Sequence, residues 1–229
     1  MRYLNVEKGI RKVLISQIFS IIAAILSGCT DLLSEAFNTF KNVIQEPSVQ
    51  LIALLFLSAG VGVFLLATIV CYNIFGVIGY YQASKDEPMF KKSMICVLAS
   101  GILTVIGILF QVPNGTLHTL FTTAGTIVEM FEIVFAIAGL INISESLDRT
   151  DFSERGDRLL KIMVFTYIIT ALNALIIRIF ELSAEAKIVS MFVNAADLVL
   201  IITRYVFYLR YLKGAKKMIA DRNADSLRG

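Results

Sequence analysis

Three carboxylates stand where a carboxylate is hard to place: Glu129 and Glu132 in TIVEMFEIVF, and Asp197 in NAADLVLI. Each lies near the middle of a long apolar stretch, where an ionised group without a partner is costly. Three-residue spacing sets the two glutamates on neighbouring positions of one helical face, so they can share a site. Arg204 falls roughly 10 Å from Asp197 along a helix, toward the following basic segment, and Arg178 lies near the far end of its own stretch. This reading leaves the acids without a base at their own depth. Such a cluster suits proton relay, cation coordination or recognition of a cationic or polar solute; it serves equally well as neutral hydrogen-bond glue between helices. Asn73 and Tyr167 are further candidate partners, and the ligand- or ion-binding set expected is Glu129, Glu132, Asp197, Asn173 and Asn194.

The stretches that carry these residues are membrane spans. Hydrophobic residues make up 57% of the chain and charged residues 17%, and the mean hydropathy is +0.76, outside the range of water-soluble domains. Windows of about 20 apolar residues, the length that crosses a bilayer, place six spans at 13–30, 49–81, 93–110, 117–143, 159–180 and 188–211, with a tight turn at Pro113-Asn114-Gly115. Lysine and arginine gather before span one, between spans two and three, between spans four and five, and after span six. Positive residues favour the cytoplasm, so both termini are expected there. The fold class expected is therefore an all-α, six-helix membrane bundle in one domain, built as three hairpins whose openings (EKGIRKVLIS, PMFKKSMICV and GDRLLKIMVF) resemble one another. Residues 212–229 are read as a cytoplasmic tail. The short loops fit a bacterial inner or plasma membrane.

Two segments outside the spans carry a pattern. Over 31–46, Leu33, Phe37, Phe40 and Ile44 recur at helical spacing opposite Asp31, Glu35, Asn38 and Asn42; this reads as an amphipathic helix on the outer face or a continuation of span one. Over 145–161, acids precede bases at i,i+4 in Glu145–Arg149, Asp151–Arg155, Glu154–Arg158 and Asp157–Lys161, each pair stabilising a helix by about 0.2–0.5 kcal/mol. Spans four and five are expected to extend as helices, broken near Thr150–Ser153. Ala24, Gly28, Gly60, Gly62 and Gly101 mark expected close helix contacts, with Gly76 and Gly79 read as a bend.

Other chemistry is set aside or kept narrow. Leu26-Ser27-Gly28-Cys29 has the form of a lipidation box after a basic and then an apolar segment; the hairpin pattern argues that Cys29 simply ends span one. Cys29, Cys71 and Cys96 are too scattered for a disulfide framework or zinc site, and no metal or cofactor is expected. The chain has no H-E-x-x-H, G-x-S-x-G, Walker or G-x-G-x-x-G pattern, and His118 is its one histidine, so no enzyme is expected. The basic residues form no stripe suited to nucleic acid; the bilayer is the expected partner, with a protein partner or a second copy beside it. In size and six-span topology the chain resembles the small substrate-binding subunits of energy-coupling-factor vitamin transporters, a likeness of architecture that implies a membrane-embedded binding role. The expected function is transport-related, a small solute or ion carrier or such a binding subunit. The alternative is an accessory or sensor protein that docks a partner through its cytoplasmic helices.

Overall fold

A computed structural model describes the backbone of residues 3–40, 48–110, 115–180 and 186–228, and the side chains of 3–29, 60–107, 109–110, 117–118, 120–173 and 192–224. These residues form six helices and no strand: α1 (Leu4–Phe40), α2 (Ser48–Ala83), α3 (Met89–Phe110), α4 (Gly115–Ser146), α5 (Thr150–Phe180) and α6 (Ala186–Arg228). Each expected span falls within one helix. Five helices are long and apolar enough to cross a membrane over Leu4–Cys29, Gly60–Ala83, Met89–Gly107, Leu120–Ser146 and Phe192–Ala224. The apolar part of α5 begins after Lys161 and continues past its described side chains. The protein is a helical membrane bundle.

Each helix packs against its neighbours in sequence, and α6 returns to α1, so the six close into a ring. One end of the ring is tied together by polar contacts between its connections. Asn223 Oδ1 accepts from Tyr3 N at 3.1 Å, and Asn223 Nδ2 donates to Glu7 at 2.9 Å. The Asp86 carboxylate accepts from the backbone N–H of Asn5 and Val6 at 2.9 and 3.0 Å. A helix start exposes unpaired N–H groups and a partial positive charge, so the α2–α3 turn caps α1 with an acid from far along the chain. Both termini and the turns near 84–88 and 147–149 therefore share this basal end, where the sequence gathers much of its lysine and arginine.

Among the described residues the core lies almost wholly in the basal half. Val6, Ile10 and Val13 of α1, Tyr80 and Ala83 of α2, Phe90 and Val97 of α3, Ile133, Ile137, Leu140 and Ile143 of α4, Met163 of α5, and Tyr208, Leu212, Ala215 and Ile219 of α6 are buried together. Gly9 and Gly79 let α1 and α2 approach: a Cβ on Gly79 would stand 2.9 Å from the Gly9 carbonyl oxygen and 2.8 Å from a Val13 methyl. Gly79 is thus a contact rather than a bend, whereas Gly60 and Gly62 meet nothing within 4 Å among the described residues. Hydropathy alone cannot tell which side of a uniformly apolar helix meets a neighbour. Gly28 and Gly101 do lie at contacts, against Leu198 and Asn73.

Three further expectations change in detail. The segment 212–229 is no free tail: α6 runs on to Arg228, with Leu212, Ala215, Met218 and Ile219 buried. Helix α1 passes unbroken through Cys29 to Phe40, so span one continues outward; the side chains of the amphipathic face, and the turn at Pro113-Asn114, lie outside the described residues. Between α4 and α5, Asp148 takes φ 56°, with Arg149 N bonded to Ser144 O at 2.8 Å and Asp148 N to Glu145 O at 3.0 Å. That is a Schellman helix stop, and it separates Glu145 from Arg149. Arg149 pairs instead with Asp151 at 3.1 Å, and Ser153 donates to Glu145. Of the expected i,i+4 pairs, Glu154–Arg158 closes, at 3.9 Å.

Candidate functional site

Above the core the helices part around a cavity of about 340 Å³, and all six contribute to its wall. Helix α1 supplies Ser20 and Ser27, α2 Tyr72 and Asn73, α3 Ser100 and Thr104, α4 Thr126 and Glu129, α5 Thr170, and α6 Arg204 and Tyr205. Small and hydroxyl-bearing residues dominate because a serine, threonine or glycine leaves volume at a helix contact that a leucine would fill. The size falls in the usual range of small-molecule sites, about 300–1,000 Å³.

The two glutamates of α4 part company here. Glu129 lines the cavity and accepts a hydrogen bond from the Tyr205 hydroxyl. Glu132, about one turn nearer the basal end, is fully buried. Its carboxylate accepts from Tyr72 at 2.6 Å, Tyr80 at 3.0 Å and Gln17 at 3.5 Å, and Tyr80 in turn meets the Tyr208 hydroxyl at 3.2 Å. This layer ties α1, α2, α4 and α6 together and closes the cavity at its basal end. Tyr72 belongs to both levels, with its ring on the cavity wall and its hydroxyl on Glu132.

Arg204 is the residue that sequence arithmetic misplaced. Measured along α6 it lies well below Asp197, but α4 is staggered so that Glu129 reaches Tyr205, the next residue. Acid and base therefore share one cavity, and the acid cluster is not without a cation. Arg204 is 3% exposed; its guanidinium lies 3.6 Å over the Tyr167 ring and 5.2 Å from that of Tyr205. Its Nε and Nη1 have no hydrogen-bond partner among the described residues. A planar, permanently charged group fits such stacking in a way lysine cannot.

Asp197 is elsewhere. It is half-buried and accepts from Asn173 Nδ2 at 2.6 Å, an α5–α6 tie away from the cavity wall. Asn194 lies one turn above it, partly exposed and also outside the wall. The five expected residues thus separate into Glu129 at the cavity, Glu132 in the sealed layer beneath, and Asp197, Asn173 and Asn194 toward the outer part of α5 and α6. No family model matches the chain, and comparison with curated proteins and with solved structures finds no match. The site must speak through its own geometry. Among the described residues, no three His, Cys, Asp or Glu side chains group as metal ligands.

Proposed function

We propose that this protein is transport-related, a carrier or membrane-embedded binding subunit in a plasma or inner membrane, and that it takes a small solute in the central cavity. The observation that carries this reading is a cavity walled by all six helices, with Glu129, Arg204 and several hydroxyl-bearing side chains on it and the Glu132 layer beneath it. A purely structural bundle gains nothing by holding an acid and a base beside a void in the bilayer, where each is costly. Glu129 offers a negative pole, Arg204 a positive one, and the hydroxyls of Ser20, Thr104 and Thr126 supply hydrogen bonds between them.

Cysteine protection tests the reading. With Cys29, Cys71 and Cys96 replaced by serine, Thr126→Cys is labelled with a small thiol reagent in the presence of a panel of water-soluble amino acids, amines and carboxylates. At least one class should slow labelling, and Glu129→Gln should abolish or alter that protection. Labelling that no compound affects, in either background, would remove a water-soluble solute from this reading.

One observation favours the second reading, a partner-docking protein. A groove of about 370 Å³ between the basal parts of α5 and α6 is lined by Arg155, Arg158 and Arg210 beside Phe152, Phe207 and Tyr211. Reversing Arg155 and Arg210 to glutamate would release an acidic partner held there and leave protection of Thr126→Cys untouched.

A further inference from the structure

The central cavity adjoins a second chamber of different character. Between α4 and α5 a crevice of about 430 Å³ is lined by Ile127, Met130, Ile168, Ala171 and Leu172. Ile127, Ile168 and Leu172 are 46%, 50% and 52% exposed, so in a bilayer this crevice opens sideways to the acyl chains. Thr122, Thr126 and Thr170 line both chambers. Tyr167, which belongs to the crevice, carries the Arg204 guanidinium on its ring.

Unsatisfied polar atoms collect at this junction. Among the described residues, Arg204 Nε and Nη1, Tyr167 Oη and Thr170 Oγ1 are all buried with no hydrogen-bond partner. Buried polar groups are ordinarily paired, and an orphan is costly, more so when charged. Guanidinium nitrogens only donate, and both hydroxyls can donate. The atom set that completes them is an anionic acceptor, a carboxylate above all. What leaves the junction on the α5 side is a hydrocarbon-lined path.

We propose that the ligand is an amphipathic carboxylate with a single hydrocarbon chain, its head at Arg204, Tyr167 and Thr170 and its tail in the α4–α5 crevice, drawn from the bilayer rather than from water. This rests on the central cavity being a binding site, and it narrows the ligand from any small solute to a lipid-soluble acid. Glu129 sharpens the choice. Already holding Tyr205, it disfavours a bulky dianion in the same chamber and leaves room for one carboxylate on Arg204.

The chain contains no tryptophan, so one introduced tryptophan is a unique reporter. Leu172→Trp places it in the crevice, and Val105→Trp places it on α3, 55% exposed and away from both chambers. Purified protein in an uncharged detergent is titrated with dibromostearate, whose bromines quench tryptophan, and with its methyl ester. The acid should quench Leu172→Trp saturably, the ester should not, and Val105→Trp should show only unsaturated, proportional quenching with both. Adding Arg204→Gln should weaken the acid at least about tenfold, since a charge-assisted hydrogen bond contributes about 1.5–3 kcal/mol. Acid and ester quenching alike, or the two tryptophans behaving alike, overturns the proposal without any Arg204 variant having to fold. If a water-soluble solute still protects Thr126→Cys while the ester matches the acid, the binding role stands and the amphipathic ligand falls. If nothing protects Thr126→Cys and dibromostearate does not saturate, both fall.

Discussion

In the basal half of the bundle Ile133, Ile137, Leu140, Leu212 and Ile219 meet and are buried. In the next turns outward the same six helices stand around a cavity edged by Ser27, Thr104 and Thr126. Glu132 belongs to the first region and Glu129 to the second, although they sit on one helix, roughly 4.5 Å apart in rise. The first has three donors converging on its carboxylate and reinforces the packing around it. The second has one tyrosine and a void before it. An acid in a membrane helix is therefore not evidence of function by itself; what distinguishes the two is whether the neighbouring helices close over it or leave space.

The contrast breaks most severely at the glycines. Gly79→Leu would drive a side chain into the Gly9 carbonyl and Val13, an overpacking that costs about 3 kcal/mol or more when backbone must move, so folded protein on size-exclusion should largely disappear. Gly60→Leu, with no described atom within 4 Å of the added Cβ, should elute and melt as the parent does. Equal loss in both would mean that the outer half is as closely packed as the basal one.

Next come the acids themselves. Glu132→Ala orphans the Tyr72 hydroxyl, leaves Tyr80 with Tyr208 alone and should cost about 3 kcal/mol, read as a lower melting temperature in detergent. Glu129→Ala should cost less than about 1 kcal/mol, because water in the cavity can take the place of the lost acceptor. The order of these two effects is the point; if it reverses, the sealed and open levels have been assigned the wrong way round.

The smallest effect is expected outside the membrane. The Arg149 hydrogen bond holds the Asp151 carboxyl below the usual carboxylate range. A depressed folded value contributes stability that is present above the unfolded pKa and is lost as pH falls through the folded one. Parent and Asp151→Asn should therefore differ at neutral pH and converge in acid. The pair is exposed, so the difference should be far smaller than that of Glu132→Ala, as surface ion pairs usually are. A gap that persists below the carboxylate range would show that Asp151 acts through something other than its charge.

Much was legible in the chain before any fold. Apolar stretches of spanning length, separated by basic clusters, dictate helices and their number, because a backbone in lipid must satisfy its own hydrogen bonds. Even numbers of crossings between those clusters put both termini and two connections at one end, where Tyr3, Asp86, Ser146 and Asn223 make their contacts. The oddity of Glu129 and Glu132 was also plain from residue type and depth. Tertiary structure alone decided the rest. Distances along one helix are set by its rise, but those between helices depend on their stagger and rotation, which side-chain packing chooses. That is why Arg204 joins Glu129 despite its distance from Asp197, and why Gly79 is a contact and Gly60 is not. It is also why two acids three residues apart finish one on the cavity wall and one inside the layer beneath it.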